Sequence, residues 1–230
     1  MNKVGWIIFS VVVVVLLGGL VVWTRITNPP IDVSSVDAAT VQSASVQSGD
    51  IADHTLGKTD SKVVLIEYGD YQCPSCQNAA PHVTELTDEY ADSIVFVFRN
   101  FPLSSIHPNA RAASAAAEAA GIQGKFWEMH DLLYENHEAW ETQDATQRTN
   151  TFKLYAESLG LDIARFEADM SGARVTDKIS FDQALGKKQS VDATPTFILN
   201  GEKLDSDASS GIVQGDLTAI KAKLDSLLAQ

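Results

Sequence analysis

Apolar and polar positions divide the chain into zones. Residues 4–23 carry no charged side chain and are almost wholly apolar, with a valine run at 11–15. A helix needs about 20 such residues to cross the bilayer core. Trp6 and Trp23 stand near the ends of the zone, where amphipathic rings favour the interface. Residues 1–24 therefore read as a transmembrane anchor with a short cytoplasmic stub. A signal peptide is the rival reading. Its apolar region is shorter, roughly 7–15 residues before a small-residue cleavage site, whereas Arg25-Ile26-Thr27-Asn28 follows here. From residue 25 to 61 the pattern dissolves. Asn28-Pro29-Pro30 breaks any helix, and no aromatic residue appears before Tyr68. This stretch reads as a flexible linker, whose last part, around His54 to Lys58, is expected to pack on the domain.

Order begins at residue 62, the start of a domain expected to run to residue 230. The β-branched run Lys62-Val63-Val64-Leu65-Ile66-Glu67-Tyr68 predicts a buried strand. Pro74 suits a first helical turn, and a helix is expected over 73–91. Residues 94–99 predict a second strand. Strand, helix and strand within about 40 residues make a βαβ unit with parallel strands. Helices are then expected at 109–120, 125–138, 147–159, 162–170 and 173–188, forming an insertion over about 105–190. Thr196-Phe197-Ile198-Leu199 predicts another strand, and Asn200-Gly201 a tight hairpin turn. Lys203-Leu204 begins the return strand, with Ile212-Val213 expected to continue that pairing. A final helix over 216–228 would be capped by Asp216.

Composition narrows the function. The net charge of −13 disfavours nucleic acid as a partner. At 230 residues and 45% hydrophobic content the chain can bury a core without disulfide support. That makes its two cysteines, Cys73 and Cys76, informative. A bridge between them closes a loop too small to remove much unfolded-state entropy, so a structural role is a poor use of the pair. A structural zinc site needs about four ligands, and His82, His107 and His130 are not spaced to complete one. No metal or cofactor is expected.

In Cys73-Pro74-Ser75-Cys76 the first sulfur falls at a helix amino terminus, where unpaired N–H groups and the helix dipole favour a thiolate. Cys76 lies one turn inward and can resolve a mixed disulfide. Pro74 pre-sets the helical backbone, and Ser75 is a candidate donor to the thiolate. Glu67 stands in an apolar strand six residues before Cys73. Buried there, it would hold a proton that thiol exchange can use. Its alternative is a solvent-facing place at the strand end. Thr194-Pro195 opens the later strand and is the candidate substrate-binding element. His107 reads as a loop histidine with a local hydrogen bond. Trp127, Tyr134 and Trp140 read as insertion core that also helps line an apolar groove near Cys73.

The segment 67–76 resembles the active-site strand and helix of DsbA-like thioredoxin-fold proteins. Asn100-Phe101-Pro102-Leu103, His107-Pro108, the alanine-rich stretch 110–120 and Gly124-Lys125-Phe126-Trp127 resemble the start of that family's helical insertion, and Thr194-Pro195-Thr196-Phe197 its cis-proline loop. The likeness covers about residues 55–228 and is nearest to membrane-anchored, Gram-positive-type members. It implies an α/β thioredoxin fold with an inserted helical subdomain. It also implies an oxidising dithiol acting on reduced or unfolded exported proteins, re-oxidised by an integral-membrane, quinone-linked partner. One position departs from the best-known DsbA pattern, which has histidine where Ser75 stands, so the direction of exchange stays open. The leading expectation is a monomeric, membrane-anchored oxidoreductase outside the cytoplasm that donates the Cys73–Cys76 bridge. The alternatives are a reductase or isomerase with the same dithiol, and a tethered binding module without catalysis.

Overall fold

The computed structural model describes Trp6, residues 9–19 and residues 31–229. Residues 9–19 are helical and belong to one unit; a second, compact unit begins at Val33. No helix among the described residues is long and apolar enough to cross a membrane. The anchor expected over residues 4–23 lies partly outside the described residues.

The linker expected over residues 25–61 gives way to ordered chain well before its end. Val33, Ala38 and Ile51 are buried, and a single 3-10 turn spans Val46–Ser48. Strand β1 (His54–Gly57) follows. Isolated small apolar residues show no period in the sequence, yet side chains elsewhere in the domain hold this segment in place. Lys188 Nζ donates to the carbonyls of Val33, Ser34 and Val36, at 3.0, 2.9 and 2.6 Å. Arg99 donates to the carbonyls of Ala38 and Thr40, at 2.6 and 2.7 Å.

Strand β2 (Val64–Gly69), helix α1 (Pro74–Glu89) and strand β3 (Val95–Asn100) form the expected unit, with β2 and β3 parallel. Helices α2 (Ala110–Ile122), α3 (Phe126–Glu135), α4 (His137–Trp140), α5 (Ala145–Ser158), α6 (Ile163–Met170) and α7 (Ala173–Lys188) come next. All six lie between β3 and β4 (Thr196–Leu199). The alanines of α2 are almost all buried, and this slim helix packs on α3, α5, α6 and α7. Asn200 and Gly201 both take positive φ, as a two-residue hairpin turn requires, and lead into β5 (Glu202–Lys203).

Ile212 and Val213 do not extend that pairing. They lie in helix α8 (Ser206–Gln214), whose amino end is capped by Asp205 accepting from Ala208 N at 3.0 Å. The cap decides the local structure against the β-branched pair. The last helix, α9 (Thr218–Leu228), starts two residues after Asp216, which accepts from Thr218 N at 3.1 Å.

The five strands run in the order β1-β3-β2-β4-β5, with every pair antiparallel except β2 and β3. Alternation along β2 divides its side chains between two layers. Leu65 joins Phe96, Phe98 and Phe197 in the core that includes Cys76, Ala79 and Val83 of α1. Glu67 shares that face, with Phe98 and Phe197 as its cross-strand neighbours. Tyr68 and Arg99 point the other way. There Arg99 pairs with Asp53 at 2.7 Å, and Lys178 bridges Asp53 at 3.0 Å and Asp182 at 2.6 Å. Asn100 donates to Glu118 at 2.6 Å, and Glu118 is 2.8 Å from His54. Burial alone would raise Asp53, but Lys178 and Arg99 overcome it and hold its carboxyl well below the usual range. Asp182 is pushed up to about 6, chiefly by burial, with Asp53 and Glu118 adding to it against Lys178.

Breaking a buried ion pair from one side strands the remaining charge. Lys178→Met should therefore destabilise the domain by about 3–5 kcal/mol near neutral pH in urea unfolding. The loss should shrink toward pH 5, where Asp182 takes a proton. A loss below about 1 kcal/mol at pH 7 would show that the network does not depend on Lys178.

Candidate active site

Strand β2 ends in Gly69, and a tight turn delivers the chain to α1. A Cβ at Gly69 would strike the Phe98 ring. Asp70 makes the turn. Its carbonyl accepts from Cys73 N at 3.0 Å and its Oδ1 from Gln72 N at 2.8 Å. Its Oδ2 accepts from Leu103 N and lies against His107 Nδ1, both at 2.8 Å. The local hydrogen bond expected for His107 is thus to Asp70.

Cys73 occupies the N-cap of α1 in extended conformation, and Pro74 opens the first turn. No side chain caps this helix, so its leading N–H groups remain for the sulfur. Cys76, one turn on, is fully buried. The two cysteines are in the thiol form and lie 3.8 Å apart. Their environments drive them in opposite directions. Cys73 is lowered to about 5, first by the hydrogen bond from the Cys76 thiol. Burial opposes this, while the Thr194 side chain and the backbone N–H groups of Cys76 and Ser75 reinforce it. Cys76 is raised well above its usual range by burial, then by its bond to Cys73 and the charges of Glu67 and Cys73.

Glu67 is buried on the α1 side of the sheet, with 3% of its surface exposed. Its carboxyl is pushed up to about 8, mainly by burial and further by the charge on Cys73. At neutral pH it holds a proton beside the two sulfurs. The Thr194–Pro195 peptide is cis and sits directly before β4. The Thr194 carbonyl accepts from the Cys73 thiol at 3.3 Å. The Thr194 hydroxyl is buried. Glu67, Cys73, Cys76, Thr194 and Pro195 thus converge, although 121 positions separate Cys73 from Thr194. Ser75 is exposed and serves through its backbone N–H rather than its hydroxyl.

Of the aromatic residues expected to help form a groove, Tyr134 lines a cavity between α1 and α3 with Gln77 and Ala80, Trp127 is half-buried and Trp140 is interior. Trp140 is fully buried, donating to the Leu133 carbonyl at 2.9 Å, and Trp127 donates to the Thr55 carbonyl at 3.2 Å. Tyr134 packs against Tyr71 at 4.9 Å between ring centroids. A cavity of about 710 Å³ lies between the β4–β5 hairpin and α9, and one of about 460 Å³ between α1 and α3. Among the described residues no cluster of three or more His, Cys, Asp or Glu side chains is placed to hold a metal.

Three residues near the sulfurs escaped sequence reasoning. Tyr71 is buried with its hydroxyl 3.0 Å from His130 Nδ1, and Asp70 and Gln72 are buried polar anchors. A polar Asp-x-Gln run between an apolar strand and a helix was the available signal.

Residues 50–215 match the family model described as Thioredoxin. Among curated proteins, the Na(+)/H(+) antiporter NhaA 3 of Salinispora tropica is 40% identical over 151 residues, which is 66% of this chain and 22% of that protein. The NhaA 1 antiporter of Mycolicibacterium vanbaalenii is 36% identical over 151 residues, 65% and 23% of the two chains. The chain thus spans about a fifth of the length of these relatives. Among solved structures, a thioredoxin-like oxidoreductase from Silicibacter pomeroyi superposes with a TM-score of 0.58 at 25% identity, covering 74% of this chain and 92% of that one. BdbD from Bacillus subtilis gives 0.63 at 21%, covering 84% and 100%. MdbA, a thiol-disulfide oxidoreductase from Corynebacterium diphtheriae, gives 0.59 at 20%, covering 76% and 93%.

Glu67 carries its proton in the fold and loses it on unfolding. Between pH 4.5, its ordinary value, and about 8, its folded value, stability must fall as pH rises. In the disulfide form, where no thiol titrates, the fall should reach up to roughly 4 kcal/mol. Glu67→Gln should lack this contribution, so that its curve separates from that of the wild type as pH rises and it is the more stable protein at pH 8. Denaturant midpoints across that range check this, and parallel curves for the two proteins would contradict it.

The match over 50–215 and the mixed sheet with its cysteine pair at the head of α1 lead to one conclusion: the chain belongs to the thioredoxin family.

Proposed function

We propose that the chain donates its Cys73–Cys76 disulfide to reduced, unfolded proteins outside the cytoplasm, held at the membrane by residues 4–23. The opposed shifts of the two thiols carry this reading. A sulfur that is stable as a thiolate is a good leaving group, so a mixed disulfide through Cys73 resolves readily toward the substrate. The same stabilisation of the dithiol form makes the bridge a strong oxidant.

The exchange balances as follows. A substrate thiolate attacks Cys73 Sγ, forming a substrate–Cys73 disulfide and breaking the Cys73–Cys76 bond. Cys76 leaves with the electron pair, and its high proton affinity draws the proton held by Glu67. A second substrate thiolate then attacks the substrate sulfur of the mixed disulfide. Cys73 leaves as the thiolate that the α1 amino end favours. The substrate gains a disulfide, and the chain gains two electrons as a dithiol. An integral-membrane, quinone-linked oxidant would remove those electrons. The apolar, uncharged residues 4–23 support placement beside such a partner. Exported proteins are the natural substrates because disulfides persist outside the cytoplasm.

The reduction potential decides the direction. Equilibration with glutathione should give a value well above the roughly −270 mV of thioredoxin, toward the roughly −120 mV of strong oxidants. A thioredoxin-like value would reverse the assignment to a reductase. Cys76→Ser should accumulate mixed disulfides with exported proteins in cells, and adducts confined to cytoplasmic proteins would refute the proposed location.

A further inference from the structure

The buried cations behind the sheet are met by acids: Arg99 by Asp53, and Lys178 by Asp53 and Asp182. Two half-buried arginines of the insertion, Arg111 on α2 and Arg148 on α5, are not. Among the described residues neither forms an ion pair with a carboxylate, in a chain whose net charge is −13. Arg111 meets only neutral acceptors on α7: the Ser180 hydroxyl at 3.1 Å, and the Gln183 side chain and the Thr176 carbonyl at 3.4 Å each. Arg148 donates through Nη1 to Asn109 Oδ1 at 2.5 Å. Its Nε is buried and has no hydrogen-bond partner among the described residues. Burial alone pulls both guanidiniums below their usual range, and no acid offsets it. For Arg99, Asp53 reverses that pull.

Both arginines line one cavity of about 310 Å³, walled by α2, α5, α6 and α7. Its apolar lining includes Ala115, Val175 and Ile179, buried members of one small hydrophobic cluster, together with Met170. A second cavity of about 310 Å³ adjoins it and shares Ala112, Ala115, Arg148 and Met170. Glu167, the acid that lines this second cavity, is met by Lys153 at 3.3 Å. The first turn of α2 lines the first cavity through Arg111 and Ala112, and it carries no acid to offset the positive end of the helix dipole.

Small-molecule sites are mostly apolar cavities of about 300 Å³ and upward with a few placed polar groups. A desolvated cation costs free energy until an anion meets it, and the guanidinium fork matches the oxygens of a phosphate or carboxylate. We propose that this pocket binds a small organic oxyanion, its charged oxygens on Arg111 and Arg148 and its apolar body against Ala115, Val175 and Ile179. Neither arginine is among the groups that set Cys73 or Cys76. The site therefore stands whichever way the dithiol exchanges electrons.

The test titrates the full chain, in neutral detergent, with phenyl phosphate by calorimetry. The wild type should bind it at one site, bind inorganic phosphate about tenfold more weakly for want of the apolar body, and not bind phenol. Arg111→Met and Arg148→Met keep the apolar stems, and each should weaken phenyl phosphate about tenfold. Vesicles of phosphatidylcholine with phosphatidate distinguish the source: they displace phenyl phosphate if the natural oxyanion is a lipid headgroup and leave it bound if it is a free molecule. Wild-type chain that does not bind phenyl phosphate, or that binds phenol or inorganic phosphate as tightly, overturns the proposal, and this reading needs no variant to fold. A folded variant of either arginine with wild-type affinity overturns it as well.

Discussion

The layer between the sheet and α1 can hold one negative charge, and three acids compete for it. Glu67, Cys73 and Cys76 lie within electrostatic reach of one another in a core of Phe98, Phe197, Tyr71 and Tyr134. Burial penalises ionisation of each, and ionising one raises the others. Cys73 takes the charge, first because the Cys76 thiol donates to it, with Thr194 and the backbone N–H groups at the amino end of α1 adding to that. Glu67 and Cys76 keep their protons as a consequence. The division of labour between the sulfurs follows from the burial of Cys76 and from the donors, Cys76 itself first, that gather on Cys73.

The opposite face of the same sheet solves the problem the other way. Asp53, Asp182 and Glu118 are as deeply buried as Glu67, yet Arg99, Lys178 and His54 meet them within hydrogen-bonding distance. Paired charges there join β3, α2, α7 and the segment before β1 into a fixed layer. The unpaired acid sits on the side where the thiols react. A sheet rigid on one face and chemically poised on the other holds Cys73 at 3.3 Å from Thr194 across a long stretch of chain.

Much of this was legible in the sequence, for physical reasons that differ by element. The β2–α1–β3 unit showed because both strands are continuous apolar runs and Pro74 marks the helix start. The insertion helices showed through alanine content and aromatic spacing. Strand β1 showed only as a segment around His54 to Lys58 that packs on the domain, because four residues containing histidine and glycine carry no periodic signal. The packing of residues 33–53 was hidden because it depends on Arg99 and Lys188, whose partners are distant backbone carbonyls. Ile212 and Val213 misled because β-branching is a weaker determinant than the Asp205 cap. At the site, the cysteines, Glu67 and Thr194-Pro195 were readable from spacing and from resemblance. Asp70 and Gln72 were not, since their value lies in contacts with Leu103, His107, Asn109 and Glu141 that only the fold creates.

The central claim is the unequal sharing of charge between the sulfurs. Alkylation of the reduced chain by iodoacetamide, followed across pH with the modified residue mapped by mass, tests it most directly. Modification should fall on Cys73 alone, with a midpoint near pH 5, leaving Cys76 unreactive. Equal labelling of both cysteines, or a midpoint near the ordinary thiol value of about 8.5, would contradict it.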